Sequence, residues 1–354
     1  MVFIRHFLKI CFIPVTFLAL TYFLVLGTEE FTPVKFLLAS GKLQKSDTIY
    51  SPKYRYNVYD FKLRLVEQYR PKTVVIGSSR AHQLNADILG VGNQFYNMSG
   101  TVRSLLELQT LNNRLFDGRH ESFDNVFLVI DFWWFGENYR ENANIHTFDS
   151  NTESKIYSEI QNYESQSTIA LLMKSLKEFW SDFIFSNQFR SVVLARGPYL
   201  GICDGFTPLG FYSIFTCSGY RNDGTFHRPI ASFSSLSDLS KPLPEDKYFL
   251  GAGDFCEQCF ARVFEPLIAH LETEAEKITI ILPPIPDAGY KFINHRGQNR
   301  LAEDLINSLT KLAESDKITV INGHEAGMTN EAFYDRYHPS KIIWKIFFKI
   351  KKYY

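Results

Sequence analysis

The sequence predicts an α/β protein with an open, mostly parallel sheet and helices on both faces. Short β-branched runs alternate with helical patterns along the chain, and the strand expected over residues 125–131 is almost continuously apolar, which is typical of a parallel strand buried on both sides. An uncharged, mostly apolar run over residues 10–27 precedes these elements. Because 45% of the 354 residues are hydrophobic, the chain can also fill a substantial core.

The composition argues against nucleic acid as a partner. The 38 Lys and Arg residues equal the 38 Asp and Glu residues in number, so no basic field is available for phosphates. The histidines form no short metal-ligand spacing, so we expect no metal ion and no cofactor.

The N-terminal apolar run predicts a membrane segment. Arg5 and Lys9 precede it and Glu29 follows it, and its length is near the lower limit for crossing a hydrocarbon core of roughly 30 Å. We expect residues 1–27 to be an uncleaved transmembrane signal anchor, with the basic flank in the cytoplasm and the rest outside, in the periplasm or at the cell surface. A cleaved signal peptide is the alternative, because residues 25–27 loosely resemble a cleavage site.

The four cysteines beyond this segment predict disulfides, because their number is even and the expected compartment is oxidising. We expect one bond between Cys203 and Cys217 and another between Cys256 and Cys259. The second pair could instead be redox-active at the start of a helix over residues 255–271 with Asp254 as N-cap. No thioredoxin-like pattern surrounds it, which favours the structural role.

The elements follow one another in a regular order. Residues 28–71 predict a juxtamembrane stalk and a helix over residues 58–70, which stops at Pro71. A domain over residues 72–354 follows, and its aromatic, Ser/Asn-rich and Gly-rich stretches predict an insertion at about 132–275, irregular as far as about 253. The predicted strands span residues 73–76, 94–96, 125–131, 278–282 and 318–321, and the predicted helices span residues 102–115, 298–313 and 340–351. The last helix carries lysines, so contact with an anionic membrane is the alternative to packing on the sheet.

Three motifs follow strands of this predicted sheet, where ligands of open parallel sheets bind. Residues 77–80, Gly-Ser-Ser-Arg, place a hydroxyl on a turn into a helix, where backbone N–H groups can stabilise an oxyanion. Residues 97–100, Asn-Met-Ser-Gly, follow the second strand. Residues 335–338, Asp-Arg-Tyr-His, follow the last one, and their spacing lets the carboxylate orient the imidazole. Together the motifs offer a nucleophile, an oxyanion pocket and a base with its acid.

These motifs resemble those of the SGNH/GDSL hydrolase superfamily, over roughly residues 72–131 and 276–350. Members carry Ser in a Gly-Asp-Ser block and end with Asp-x-x-His. The resemblance implies a flavodoxin-like (SGNH) three-layer sandwich, with Ser79 as the nucleophile, Asp335 and His338 as acid and base, and Gly100 as an oxyanion donor beside the Ser79 amide.

The anchor, the insertion and the Gly-Ser-Ser-Arg start most resemble membrane-anchored extracytoplasmic members linked to polysaccharide O-acetylation or teichoic-acid D-alanylation. That resemblance implies a serine esterase or O-acyltransferase that acts on a cell-envelope glycan through an acyl-serine intermediate, beside a membrane-bound acyltransferase. A catalytically silent protein that binds a glycan or such a partner is the alternative.

The sequence departs from the family pattern at two places. Ser78 replaces the usual Asp, and residues 131–134, Asp-Phe-Trp-Trp, replace Gly-x-Asn. Loss of the Asn donor can cost on the order of 10² to 10³ in rate, and Asn97 is the candidate substitute. An Asp131 carboxylate in its place would repel an oxyanion unless it points elsewhere or is protonated.

Three further residues are candidate substrate contacts. Arg80 would hold an anionic substrate, or it is solvent-facing or salt-bridged. Trp133 and Trp134 would form a platform for a sugar ring, or they belong to the hydrophobic core.

Overall fold

The structure, a computed structural model, describes residues 34–51, 58–116, 122–139, 173–174, 177–178, 181, 203, 205–228, 253–287, 289–290, 299–324, 328, 333–334 and 338–351. The chain divides into two compact units. The smaller unit comprises Met1–Asn57, Ser165–Asn222 and His227–Pro229, and the larger unit comprises Val58–Glu164, Asp223–Phe226 and Ile230–Tyr354. The predicted anchor at residues 1–27 lies outside the described residues, and within them no helix has the length and apolar content needed to cross a membrane.

The described elements are named in chain order. The strands are β1 (Thr48–Tyr50), β2 (Thr73–Gly77), β3 (Phe95–Asn97), β4 (Phe123–Val129), β5 (Thr207–Leu209), β6 (Gly219–Tyr220), β7 (Phe226–His227), β8 (Ala275–Leu282) and β9 (Ile318–Asn322). The α-helices are α1 (Val34–Ala39), α2 (Val58–Tyr69), α3 (Ala86–Leu89), α4 (Leu105–Phe116), α5 (Phe211–Thr216), α6 (Glu257–Cys259), α7 (Glu265–Glu274), α8 (Asn299–Leu312) and α9 (Lys341–Lys351).

The larger unit is built on a five-stranded sheet in the order β3-β2-β4-β8-β9, and every strand pair in it is parallel. Counted along the chain within this sheet, the order is 2-1-3-4-5, which is compatible with a flavodoxin-like fold. The predicted α/β class with a parallel sheet is therefore confirmed. All five predicted strands form, and each begins and ends within three residues of the predicted positions.

The sheet is buried because its strands are apolar on both faces. Val74, Val75 and Ile76 of β2 are at most 1% exposed, as expected for a central parallel strand. Trp344 and Phe347 of α9 pack against β2, β4 and β8 in one apolar cluster. The closing helix thus packs on the sheet as predicted, and Ile342 on its other side is exposed.

One predicted helix start is wrong. The helix predicted from Phe255 with Asp254 as its cap begins at Glu257, and Cys256 is the N-cap residue, whose Sγ accepts the Cys259 N–H at 3.2 Å. A π-helical stretch (Phe260–Phe264) then joins α6 to α7.

The smaller unit has a sheet of short strands in the order β5-β1-β6-β7. Strand β1 comes from the segment predicted as a stalk, and it pairs with β5 and β6 from the predicted insertion. Cys203 and Cys217 form a disulfide beside the buried Ile49. The other predicted disulfide, between Cys256 and Cys259, forms in the larger unit. Both predicted cysteine pairings are confirmed.

Gly77 at the end of β2 is expected not to tolerate a side chain. Gly77 has φ +153°, and a Cβ on it would collide with the backbone carbonyl of Val129 on β4. Since backbone atoms of the sheet cannot yield, we expect Gly77→Ala to lower the free energy of unfolding by about 3 kcal/mol. The measurement is urea denaturation. Gly92→Ala is the matched control, because its Cβ meets nothing within 4 Å, and equal stability of the two variants would contradict the account.

Candidate active site

The structure brings the predicted nucleophile and base into hydrogen-bond contact. Ser79 lies on the turn directly after β2, and its Oγ is 2.8 Å from Nε2 of His338, 259 positions away in the sequence. The Ser78 side chain caps this turn by accepting the Arg80 N–H at 3.3 Å. A serine at hydrogen-bond distance from an imidazole nitrogen is the arrangement in which a histidine can take the hydroxyl proton.

The loop that carries His338 is held on both sides. The His338 carbonyl accepts the Tyr334 N–H at 2.9 Å. Ser340 is 2% exposed, and its Oγ accepts the Ile343 N–H at 3.4 Å at the start of α9. The imidazole therefore lies directly before a helix that packs on the sheet. Asp335 lies outside the described residues, so its role as the orienting acid stays a prediction.

The two predicted oxyanion donors have other hydrogen-bond partners. The Gly100 N–H donates to the Gly77 carbonyl at 2.9 Å. The Asn97 side-chain amide is fully buried and donates to the carbonyls of Ala81 and Leu84 at 2.9 and 2.7 Å. Asn97 therefore fastens the segment after the serine turn to β3, which is a different use from the predicted one.

The Ser79 amide is the oxyanion donor that the geometry favours. It belongs to the first residue of the short 3-10 turn Ser79–Ala81, and N–H groups at this position have no acceptor within the helix. Among the described residues, no backbone carbonyl outside the turn accepts the Ser79 N–H either. A carbonyl oxygen of a substrate attacked by Ser79 Oγ can therefore use this donor.

Arg80 and Asp131 form a buried ion pair beside the serine. Nη1 of Arg80 is 3.1 Å from Oδ1 of Asp131, and each side chain is 3% exposed. Burial raises the pKa of the Asp131 carboxyl, while the Arg80 charge, a Ser78 hydrogen bond and the His338 charge act in the opposite direction. The structure thus shows Arg80 in a salt bridge, which is one of the alternatives predicted for it. The Asp131 carboxylate, which would repel an oxyanion if it were unpaired, is paired with the Arg80 guanidinium.

Trp133 and Trp134 lie in the core. They are 6% and 1% exposed, on the short 3-10 turn Phe132–Phe135 after β4. The Arg80 guanidinium lies over the Trp133 ring, 5.4 Å from its centroid. Their burial supports a role of both tryptophans in the hydrophobic core rather than in a platform for a sugar ring.

Sequence reasoning missed Lys62. This lysine of α2 is fully buried, and its Nζ donates to the carbonyls of Asn97, Ser99 and Gly224 at 2.9, 2.7 and 2.9 Å. Burial lowers its pKa well below the ordinary value, and the Asp223 charge opposes that shift. The available signal was a lysine on the apolar face of an amphipathic helix, three or four positions from Tyr59, Leu65 and Val66.

His324 was also missed as part of this region. It follows β9 at the same sheet edge, is 5% exposed, and contacts Phe132 and Tyr290 edge to face. Its pKa is lowered from 6.5 to about 4, first because burial penalises the charged ring and second because of the Arg80 charge. His324 is therefore a neutral imidazole packed between aromatic rings, within the electrostatic reach of Arg80.

Comparisons with known proteins add no assignment. No family model matches the chain, and a search of curated proteins finds no significant match.

The low pKa of His324 predicts an acid-sensitive fold. The unfolded chain binds a proton on this ring below about pH 6.5, whereas the folded protein binds it only below about pH 4. Because the unfolded state takes up the proton first, the free energy of unfolding should fall as the pH drops through this window, by up to about 3 kcal/mol. Above pH 6.5 this contribution is fully present.

The measurement is urea unfolding at pH values across the same window. His324→Phe keeps a ring against Phe132 and removes the titrating group, so its stability should fall less steeply with decreasing pH. Identical slopes for the variant and the wild type would show that another group causes the acid sensitivity.

Proposed function

We propose that this protein is a membrane-anchored, extracytoplasmic, SGNH-like serine esterase or O-acyltransferase that acts on acyl esters of a cell-envelope glycan. The observation that carries the proposal is the 2.8 Å contact between Ser79 Oγ and His338 Nε2 at the carboxyl edge of a parallel sheet. Two residues 259 positions apart in the sequence meet there at a distance at which an imidazole can take the proton of a serine hydroxyl, which supports the proposal.

The chemistry uses Ser79 as the nucleophile. Its Oγ attacks the acyl carbonyl while His338 Nε2 takes the hydroxyl proton, and the oxyanion accepts the Ser79 N–H. Collapse breaks the ester bond, the alcohol leaves with the proton from His338, and the acyl group stays on Ser79. A second acceptor, deprotonated by His338, then removes the acyl group: water gives an acid and a glycan hydroxyl gives a new ester.

The proposed setting rests on the sequence and on the disulfides. Two disulfides fit an oxidising compartment, and residues 1–27 supply the proposed anchor. A membrane-bound acyltransferase is the proposed partner, as donor of the acyl group.

A catalytically silent glycan-binding or partner-binding protein is the second candidate. The observation that favours it is the hydrogen bonding of Gly100 and Asn97, whose N–H groups already serve the fold. With the Ser79 amide as the remaining candidate donor, stabilisation of an oxyanion is weaker than in a site with two or three donors.

A covalent serine probe separates the two candidates. We expect an alkyl fluorophosphonate to label the full-length protein in mild detergent once per chain, and we expect Ser79→Ala to abolish the labelling. His338→Ala should slow it by about 10² to 10⁴-fold, because the serine then lacks its base.

Ser308→Ala and His270→Ala are the matched controls, since both residues lie on helices and neither follows a strand. They should label at the wild-type rate. Absence of labelling in the wild type, or labelling that survives Ser79→Ala, would sink the catalytic proposal and favour the binding protein.

A further inference from the structure

We propose that Arg80 is the positioning residue of this site and that Asp131 is its charge partner. The inference rests on the proposed function, since it concerns the same serine and histidine. Arg80 fixes Ser79 relative to three other segments: its buried side chain reaches the turns after β4 and β8, and its backbone carbonyl reaches α9.

The Arg80 side chain joins the turns after three strands. It leaves the turn after β2, and it donates to Asp131 after β4 and to the carbonyls of Pro283 and Pro284 after β8, at 3.1, 3.2 and 2.6 Å. Both prolines lie beyond the end of β8, where the ladder has stopped, and their carbonyls accept from Arg80 instead of from a neighbouring strand. A guanidinium spreads its donors over a rigid planar fork and so reaches acceptors on separate segments in fixed directions, whereas an ammonium offers its three donors from a single atom.

The Arg80 backbone joins the same turn to the helix behind the histidine. Its carbonyl accepts the Trp344 indole N–H at 3.3 Å, and Trp344 is fully buried in α9, six positions after His338. The residue next to the nucleophile is thereby tied to the helix that carries the base. Any rotation of the turn after β2 would disturb the contact between Ser79 and His338.

The negative charge of Asp131 lets the buried Arg80 guanidinium lie beside Ser79 and His338 without opposing proton transfer between them. An unpaired guanidinium would be costly to bury and would disfavour a protonated imidazole nearby. An unpaired carboxylate would disfavour the oxyanion instead. As an ion pair, the two charges largely cancel, and the serine turn keeps a nearly neutral surrounding.

Two single variants test the positioning role. Arg80→Lys keeps the charge but loses the fork, and we expect the fluorophosphonate labelling rate of the full-length protein to fall about 10²-fold, as for a small misplacement of reacting groups. Trp344→Phe removes the indole N–H that donates to the Arg80 carbonyl, together with part of the buried ring, and should lower the rate about fivefold. Arg103→Lys is the matched control, since Arg103 forms an exposed ion pair with Glu107 on α4, and it should label like the wild type.

A pH profile distinguishes this role from a merely structural one. Among the described residues, Asp131 and Tyr334 interact with His338, and Arg80 and His324 interact with each other beside Asp131. Asp131→Asn removes the anion and leaves the cation, so a protonated imidazole becomes less favourable. The acid limb of the labelling profile should move to lower pH, and Arg80→Met with Asp131→Asn should bring it back towards the wild type.

The outcomes separate this inference from the proposed function. Absence of labelling in the wild type overturns the proposed function. The inference about Arg80 and Asp131 is then tested by NMR, by titrating the His338 ring in the wild type and in Asp131→Asn. An unchanged midpoint in Asp131→Asn overturns this inference, and a lower midpoint supports it. If the wild type labels, wild-type rates in Arg80→Lys and Trp344→Phe overturn the inference. If Arg80→Lys does not fold, the Trp344→Phe rate and the Asp131→Asn profile decide in its place.

Discussion

The pairing of β2 between β3 and β4 is the constraint on which the rest of the site depends. The chain runs from β2 to β3 on one side and then crosses to β4 on the other, so β2 lies at the topological switch point of the sheet. The turns after these strands diverge there and leave room for a ligand. Gly77 lets β2 approach the β4 backbone closely, and Ser79 follows two residues later at the opening.

Buried cations hold the loops around this opening. Lys62 donates to two carbonyls at the end of β3 and to the carbonyl of Gly224 before β7. Arg80 donates to the carboxylate after β4 and to two carbonyls after β8. Loops at the carboxyl edge carry backbone carbonyls that water would otherwise solvate, and leaving them buried without donors is costly. One donor-rich side chain on each side satisfies them and makes the edge rigid enough to present a reactive pair.

The sequence predicted the sheet and the serine–histidine pair for identifiable reasons. Almost continuously apolar runs such as residues 125–131 are typical of buried parallel strands, so these strands could be assigned. Parallel strands place their carboxyl ends on one edge of the sheet, which brings the residues after the first and last strands together. The hydrogen-bond partners of the site residues could not be predicted from the sequence. Whether Asn97 donates to an oxyanion or to Ala81, and whether Arg80 meets a substrate or Asp131, depends on contacts across many residues of chain that no local pattern encodes.

The smaller unit illustrates the same limit. Strand β1 has only three residues, and it pairs with strands more than 150 positions away. Short strands of this kind carry little periodicity, so the sequence predicts a stalk and an irregular insertion in their place. The cysteines were the stronger signal there, because an even number of them in an oxidising compartment restricts the pairings.

The most direct test of the account is a high-resolution structure of the protein after reaction with a phosphonate ester probe. The account predicts continuous density from Ser79 Oγ to phosphorus, a phosphonyl oxygen within hydrogen-bond distance of the Ser79 N–H, and His338 Nε2 still beside Oγ. An adduct on another residue, or an unmodified Ser79 turned away from His338, would contradict it.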